Sequence, residues 1–156
     1  MHYIDTNSSL KKGFTFIELL IVVALFGILT VLVFVSLNSA KHNTEDSRLQ
    51  SDVKQLRAIA EVLYNNSLSY KNVATCFNAT SDWSSCGDQA SQVKLLTADA
   101  ITAYSGADGG IVATSNSSSL CISSRMNSGK YICVDTSGNT KLDGTGNCAG
   151  STHTCP

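Results

Sequence analysis

Between Phe14 and Leu37 the chain runs for 24 residues with one charged side chain, Glu18. As a helix rising about 1.5 Å per residue, such a stretch covers roughly 36 Å, more than the ~30 Å hydrocarbon core of a bilayer. Length and apolarity together exclude the buried helix of an ordinary soluble domain and predict a membrane segment. A carboxylate inside such a segment costs on the order of 2.5 to 3.5 kcal/mol on insertion scales, so Glu18 calls for a partner. A cut between Gly13 and Phe14 creates one, because the new α-amino group opens the helix one turn before Glu18. That amine can neutralise Glu18 within the same helix or from a subunit packed alongside. An acidic group in the first turn also suits the positive end of the helix dipole.

The run Lys11-Lys12-Gly13-Phe14-Thr15-Phe16-Ile17-Glu18-Leu19 resembles the processing site of type IV pilins and pseudopilins. It has their basic leader, Gly, aromatic first mature residue, Glu four positions later, and apolar run. The resemblance covers roughly residues 11 to 65. It implies cleavage between Gly13 and Phe14 by a prepilin peptidase, N-methylation of Phe14 by the same enzyme, and a role for Glu18 in guiding the subunit into a helical filament. The implied function is a structural subunit of a type IV pilus-like filament, with a type II secretion pseudopilin as the alternative. The implied partners are further copies of the chain in a homopolymer, related minor subunits, the prepilin peptidase, the pilus assembly machinery and the membrane. Gly27 is read in two ways. In pilin-like proteins a Gly here allows close helix packing or local loosening, and Gly is also simply common in membrane helices. Pilins often carry a Pro in the second half of the run; here the one Pro is Pro156, so no Pro-induced kink is implied.

Three other readings compete. A secretory signal peptide has an h-region of about 7 to 15 residues, shorter than this run. Its exit, Val35-Ser36-Leu37-Asn38-Ser39-Ala40, also lacks small residues at both −3 and −1. A plain single-span anchor would leave Glu18 as an interfacial residue reaching for headgroups. A membrane-anchored or secreted disulfide-rich binding module, a different functional class, would keep the junction at Gly13 uncut.

With 156 residues, the chain has room for one membrane helix and one small head domain. Beyond Leu37 there are nine Lys and Arg against ten Asp and Glu, which leaves no electrostatic footprint for nucleic acid. All six cysteines, Cys76, Cys86, Cys121, Cys133, Cys148 and Cys155, lie beyond the apolar run. An even set on one side of a membrane reads as a disulfide framework in an oxidising compartment. Lys11 and Lys12 precede the run, so the positive-inside rule keeps the N-terminus cytoplasmic and sends the C-terminus out. The expected location is the cytoplasmic membrane as a single-pass protein, and then a cell-surface filament.

The expected organisation is a leader over 1–13, a transmembrane and assembly helix over 14–37, its amphipathic continuation over 38–66, and a loop-rich head over 67–156. Leu49, Val53, Leu56, Ala60 and Leu63 recur at steps of four and three, an apolar stripe flanked by Arg48, Asp52, Lys54, Arg57 and Glu61. No Pro or Gly interrupts Ile28 to Tyr70, so one continuous helix is predicted, ending at Asn65-Asn66-Ser67. A loop stapled by Cys76 and Cys86 follows, then a short helix over Gln89 to Leu96. Short β-like runs come next, at Ile111 to Thr114, Leu120 to Ser123 and Lys130 to Asp135, with Asn127-Ser128-Gly129 as the hairpin turn. Residues 136–156 read as irregular. The fold class is α+β: a long N-terminal helix packed on a small antiparallel sheet, pilin-like and disulfide-stapled.

Six cysteines allow 15 pairings. Proximity suggests Cys76 with Cys86, Cys121 with Cys133 and Cys148 with Cys155; the alternative ties Cys133 to Cys148 or Cys155. Cys148, His153 and Cys155 lack the spacing of a zinc site, and Asp135, Asn139 and Asp143 lack the ligand alternation of a calcium loop. No metal site or cofactor is expected. With no nucleophile motif, phosphate loop or dinucleotide fingerprint, no enzyme is expected either. Asn65, Asn78 and Asn116 fit the glycosylation pattern.

Overall fold

A computed structural model describes residues 13–78, 82–104, 106, 110–143, 148 and 153–155, with the side chains of Val35 and Asp143 outside the description. Residues 1–12, which hold Lys11, Lys12 and most of the expected leader, also lie outside it. Helix α1, Phe16–Ser67, is followed by α2, Val73–Phe77, a 3-10 turn at Ser84–Gln89, and α3, Ala90–Ala103. Four strands then follow: β1 Ile111–Ser115, β2 Leu120–Arg125, β3 Tyr131–Asp135 and β4 Thr140–Asp143. The chain divides into two compact units, residues 1–39 and 40–156.

In the first unit no described residue packs against α1, and its large apolar side chains are exposed, from 80% at Phe16 to 41% at Val22. The helix is long and apolar enough to cross a membrane. Thr30 donates its hydroxyl to the carbonyl of Phe26 at 2.7 Å, which satisfies this polar group within the helix itself.

In the second unit the periodic stripe does what its spacing predicts. Leu49, Val53, Leu56 and Ala60 are fully buried, joined by Ile59, with Leu63 packed at the margin. Their partner is an antiparallel sheet in the order β1-β2-β3-β4. Ala113 stands opposite Ile122 and Ile122 opposite Val134, so these residues share one face. Leu120, Ile122, Ile132 and Val134 meet the stripe in a single core, which also takes in Val93, Ala100 and Ala103 of α3. The α+β architecture read from the sequence is thus present.

Three features depart from the sequence reading. The segment read as a loop before Gln89 forms α2 and the 3-10 turn, and α3 runs to Ala103 rather than ending at Leu96. Residues 140–143, read as irregular, form β4, paired to β3 with Leu142 opposite Ile132. Asp52, read as a flanking surface charge, is buried at 5% exposure.

Local hydrogen bonds fix how the pieces meet. The β2–β3 turn docks on α1 because the buried Asp46 carboxylate accepts the N–H groups of Asn127 at 2.6 Å and Ser128 at 3.1 Å. At the β1 edge, the Asn78 amide imitates a neighbouring strand: Oδ1 accepts from Ala113 N–H at 2.9 Å and Nδ2 donates to its carbonyl at 2.7 Å. That pairing occupies backbone groups that an edge strand otherwise leaves open.

The disulfides correct two expected pairs. Cys76 pairs with Cys86, but Cys121 pairs with Cys148 and Cys133 with Cys155, and no cysteine is free. Register supplies the reason. Cys121 faces Asp135 and Cys133 faces Ser123, so the two are diagonal neighbours. Diagonal Cα atoms lie about 7–8 Å apart, beyond the usual disulfide range of about 4.4–6.8 Å. Cys148 and Cys155 instead reach the sheet face opposite the core, each at a Cα–Cα distance of 5.7 Å from its partner.

Candidate functional site

The residues with a sequence-level case for function, Gly13, Phe14 and Glu18, lie together at the start of α1. Residues 13–15 are outside regular structure and the helix begins at Phe16. Glu18 is folded back on this entry. Its Oε2 accepts the Thr15 N–H and the Thr15 hydroxyl, both at 2.8 Å, while Thr15 Oγ1 accepts the Glu18 N–H at 3.3 Å. This reciprocal arrangement is a capping box, in which Thr15 is the N-cap and Glu18 the third helical residue. In the uncut chain, therefore, the Glu18 carboxylate is held by Thr15 and not by Phe14. The sequence reading passed over Thr15, although the signal was there: Thr-x-x-Glu ahead of an apolar run is the capping-box pattern.

The two glycines of this region are open. A Cβ placed on Gly13 or on Gly27 meets nothing within 4 Å. Among the described residues, no contact demands Gly at either position. Phe14 is 88% exposed, so the junction before it is sterically accessible.

The remaining candidates are used structurally. The sulfurs of Cys121, Cys133 and Cys148 lie within 4.8 Å of one another, but all three are tied up in disulfides and offer no thiolate to a metal. Cys148 and Cys155, the sulfurs of the imagined zinc set with His153, are likewise bonded. Asp135 is buried at 1% exposure. It accepts the backbone N–H and side-chain amide of Asn139, each at 3.0 Å, and the N–H of Cys155 at 3.2 Å. Burial raises its pKa, and these bonds, with one from the Ser137 backbone, outweigh burial and hold the carboxyl below the usual range. Asp135 is a turn-locking carboxylate, and Asn139 turns its N–H groups toward it. Asn116 closes a turn by accepting from the N–H groups of Ser118 and Ser119. Asn78 is consumed at the β1 edge.

One acidic group in the head stands under tension. Burial, then the neighbouring Asp99 carboxylate, raise the Asp52 pKa to about 6 against the lowering influence of Arg48. Arg48 is itself ion-paired to Asp99 across α1 and α3. The group is enclosed between two helices, with no pocket for a substrate among its described neighbours.

A family model described as the prokaryotic N-terminal methylation motif matches residues 8–34. No curated protein matches the chain, and no solved structure matches it. The matched span takes in Gly13, Phe14, Thr15, Glu18 and most of the exposed apolar run. The chain thus carries a prepilin-type N-terminus, the cleavage and methylation site shared by type IV pilins and pseudopilins.

Proposed function

We propose that the protein is a structural subunit of a type IV pilus-like filament, made as a membrane-held precursor, cut between Gly13 and Phe14, and polymerised through the N-terminal half of α1. The observation that carries this reading is the coincidence of the methylation motif over residues 8–34 with an apolar helical segment that buries none of itself within the chain. A surface of that kind is satisfied first by lipid and then by copies of itself.

Within the filament, Glu18 fixes axial register by pairing with the methylated Phe14 amine of a neighbour. In a low-dielectric surround an unpaired carboxylate is strongly disfavoured, so registers that leave Glu18 alone are rejected. Cleavage leaves the Thr15 N–H in place, so the capping box can hold the carboxylate at the helix start until that partner arrives. The disulfide-stapled head faces outward, and a secretion pseudopilin would use the same N-terminal chemistry.

The test is Glu18→Ala in the native cell, with precursor and mature masses and sheared surface filaments measured together. The expected result is mature protein of correct mass, retained in the membrane, with filaments lost. Normal filaments from this variant contradict the register role.

A further inference from the structure

Five of the six cysteines are buried: Cys76, Cys86, Cys121 and Cys133 at 0% exposure and Cys148 at 4%. Cys155 alone is partly exposed. Cys155 is therefore the one residue of the six with appreciable exposure, and a thiolate that attacks its sulfur expels Cys133 as the leaving thiolate. That sulfur does not emerge into solvent. It already touches another disulfide, with Cys133 Sγ 3.3 Å from Cys121 Sγ.

We propose that the two disulfides on the outer sheet face form an exchange relay, in which a thiol that opens Cys133–Cys155 also opens the buried Cys121–Cys148. In the first step an external thiolate bonds to Cys155 Sγ and the Cys133–Cys155 bond breaks, leaving the electron pair on Cys133. In the second, Cys133 Sγ bonds to Cys121 Sγ, the Cys121–Cys148 bond breaks, and Cys148 leaves as thiolate. In the third, Cys148 displaces the external thiol from Cys155. The products are Cys121–Cys133, Cys148–Cys155 and the regenerated thiol, with no net oxidation or reduction. Freed from Cys155, Cys133 regains rotation about its Cα–Cβ bond, which lets it line up with the bond it attacks. Thiolate attack through mixed disulfides is the ordinary route of such exchange.

The same register that keeps Cys121 and Cys133 from being the resting pair places their sulfurs in contact. The diagonal offset makes the exchanged state the less stable one, so thiol that remains present carries it back to the resting pairing by the reverse of the same steps. Its consequence is mechanical. In the resting state Cys148 N–H donates to Ser123 Oγ at 3.0 Å and Cys155 N–H to Asp135 at 3.2 Å, each beside a disulfide anchoring that residue to the sheet. After exchange, both covalent anchors are gone and the two sheet strands are tied to each other instead. A thiol touching one surface sulfur thus unlatches the C-terminal residues from β2 and β3 together.

The test uses the full chain in detergent with Cys155→Ser, incubated with an alkylating agent and then digested at Lys and Arg. The digest separates Cys121 in residues 95–125, Cys133 in 131–141, and Cys148 in 142–156. The relay places label on Cys148 and joins 95–125 to 131–141, because trapping Cys148 draws the exchange forward. Label confined to Cys133, with 95–125 still joined to 142–156, overturns it. Should this variant fold poorly, the unaltered chain is treated with limiting small thiol, quenched in acid and digested. The relay releases 142–156 while 95–125 and 131–141 stay joined. Persistence of the 95–125 to 142–156 link in every species that has lost Cys133–Cys155 contradicts it.

Discussion

Residues 16–39 and 46–63 belong to the same helix, yet they solve opposite problems. The first stretch has no polar face and no partner among the described residues; Phe26, Leu29 and Phe34 are exposed at 65%, 57% and 68%. The second shows apolar residues every three or four positions and buries Leu49, Val53, Leu56 and Ala60 completely in the core it shares with the sheet. Amphipathicity lets a helix be satisfied by its own domain, whereas uniform apolarity exports the requirement to lipid or to other molecules. Helix formation is common to both stretches. What differs is where the stabilising contacts come from: the second stretch finds them in its own domain, and the proposed filament role assigns the first to other molecules.

The comparison can be broken first at the junction. Replacing Gly13 with Trp places a Cβ that meets no described atom within 4 Å and is expected to abolish processing; persistence of the precursor mass is the check. The next largest contrast sets Leu56→Ala against Leu29→Ala. Emptying a fully buried site costs about 2–5 kcal/mol, so thermal unfolding of the head moves sharply down for Leu56→Ala. For Leu29→Ala the head transition stays in place and any loss falls on filament yield. Equal shifts for both would erase the distinction drawn between the two stretches.

Asp46→Ala strands the N–H groups of Asn127 and Ser128 and is expected to cost the head about 1–3 kcal/mol, read by denaturant unfolding. Thr15→Ala removes an N-cap worth about 1 kcal/mol. It frays only the start of α1, seen as faster amide exchange at Phe16 to Glu18 with head stability unchanged.

The smallest effect concerns pH. Burial and the neighbouring Asp99 carboxylate push the Asp52 pKa up to about 6 in the folded state, against about 3.9 for an exposed Asp. Between those values the folded state binds a proton that the unfolded chain has released, so this group makes stability fall as pH rises through about 6. Asp135, held below its ordinary value, acts in the opposite sense: its contribution is present above that value and lost as pH falls through its folded pKa. Asp52→Asn is expected to flatten the loss between about pH 4 and 7 while leaving the acid limb, followed by thermal unfolding across pH.

What the sequence disclosed follows from how local each signal is. The apolar run, the stripe from Leu49 to Leu63 and the hairpin turn at Asn127 to Gly129 are written in consecutive residues, and the fold uses them. Thr140-Lys141-Leu142-Asp143 has one apolar side chain and becomes a strand only because β3 offers it a register. The Ser- and Asn-rich stretch before α3 gains its helical turns from packing Val73, Cys76 and Phe77 into the core. Of the disulfides, Cys76–Cys86 was legible from proximity and Cys133–Cys155 stood among the alternatives; separation along the chain favoured Cys121 with Cys133, while strand register, a long-range property, decided for Cys121–Cys148. Asp52 looked like surface because its neighbours in sequence are charged, and its burial comes from α3. At the start of α1 the motif over residues 8–34 was legible in consecutive residues, and the capping role of Thr15 was written there too, in its Thr-x-x-Glu pattern.

The central claim is that the N-terminal segment is processed and then used for assembly. It is tested most directly by the intact mass and N-terminal sequence of the protein recovered from native membranes and from the sheared surface fraction. The account predicts a chain beginning at methylated Phe14 in both, with all six cysteines oxidised. A chain beginning at Met1, or near residue 40, would contradict it and leave a plain anchor or a secreted module in its place.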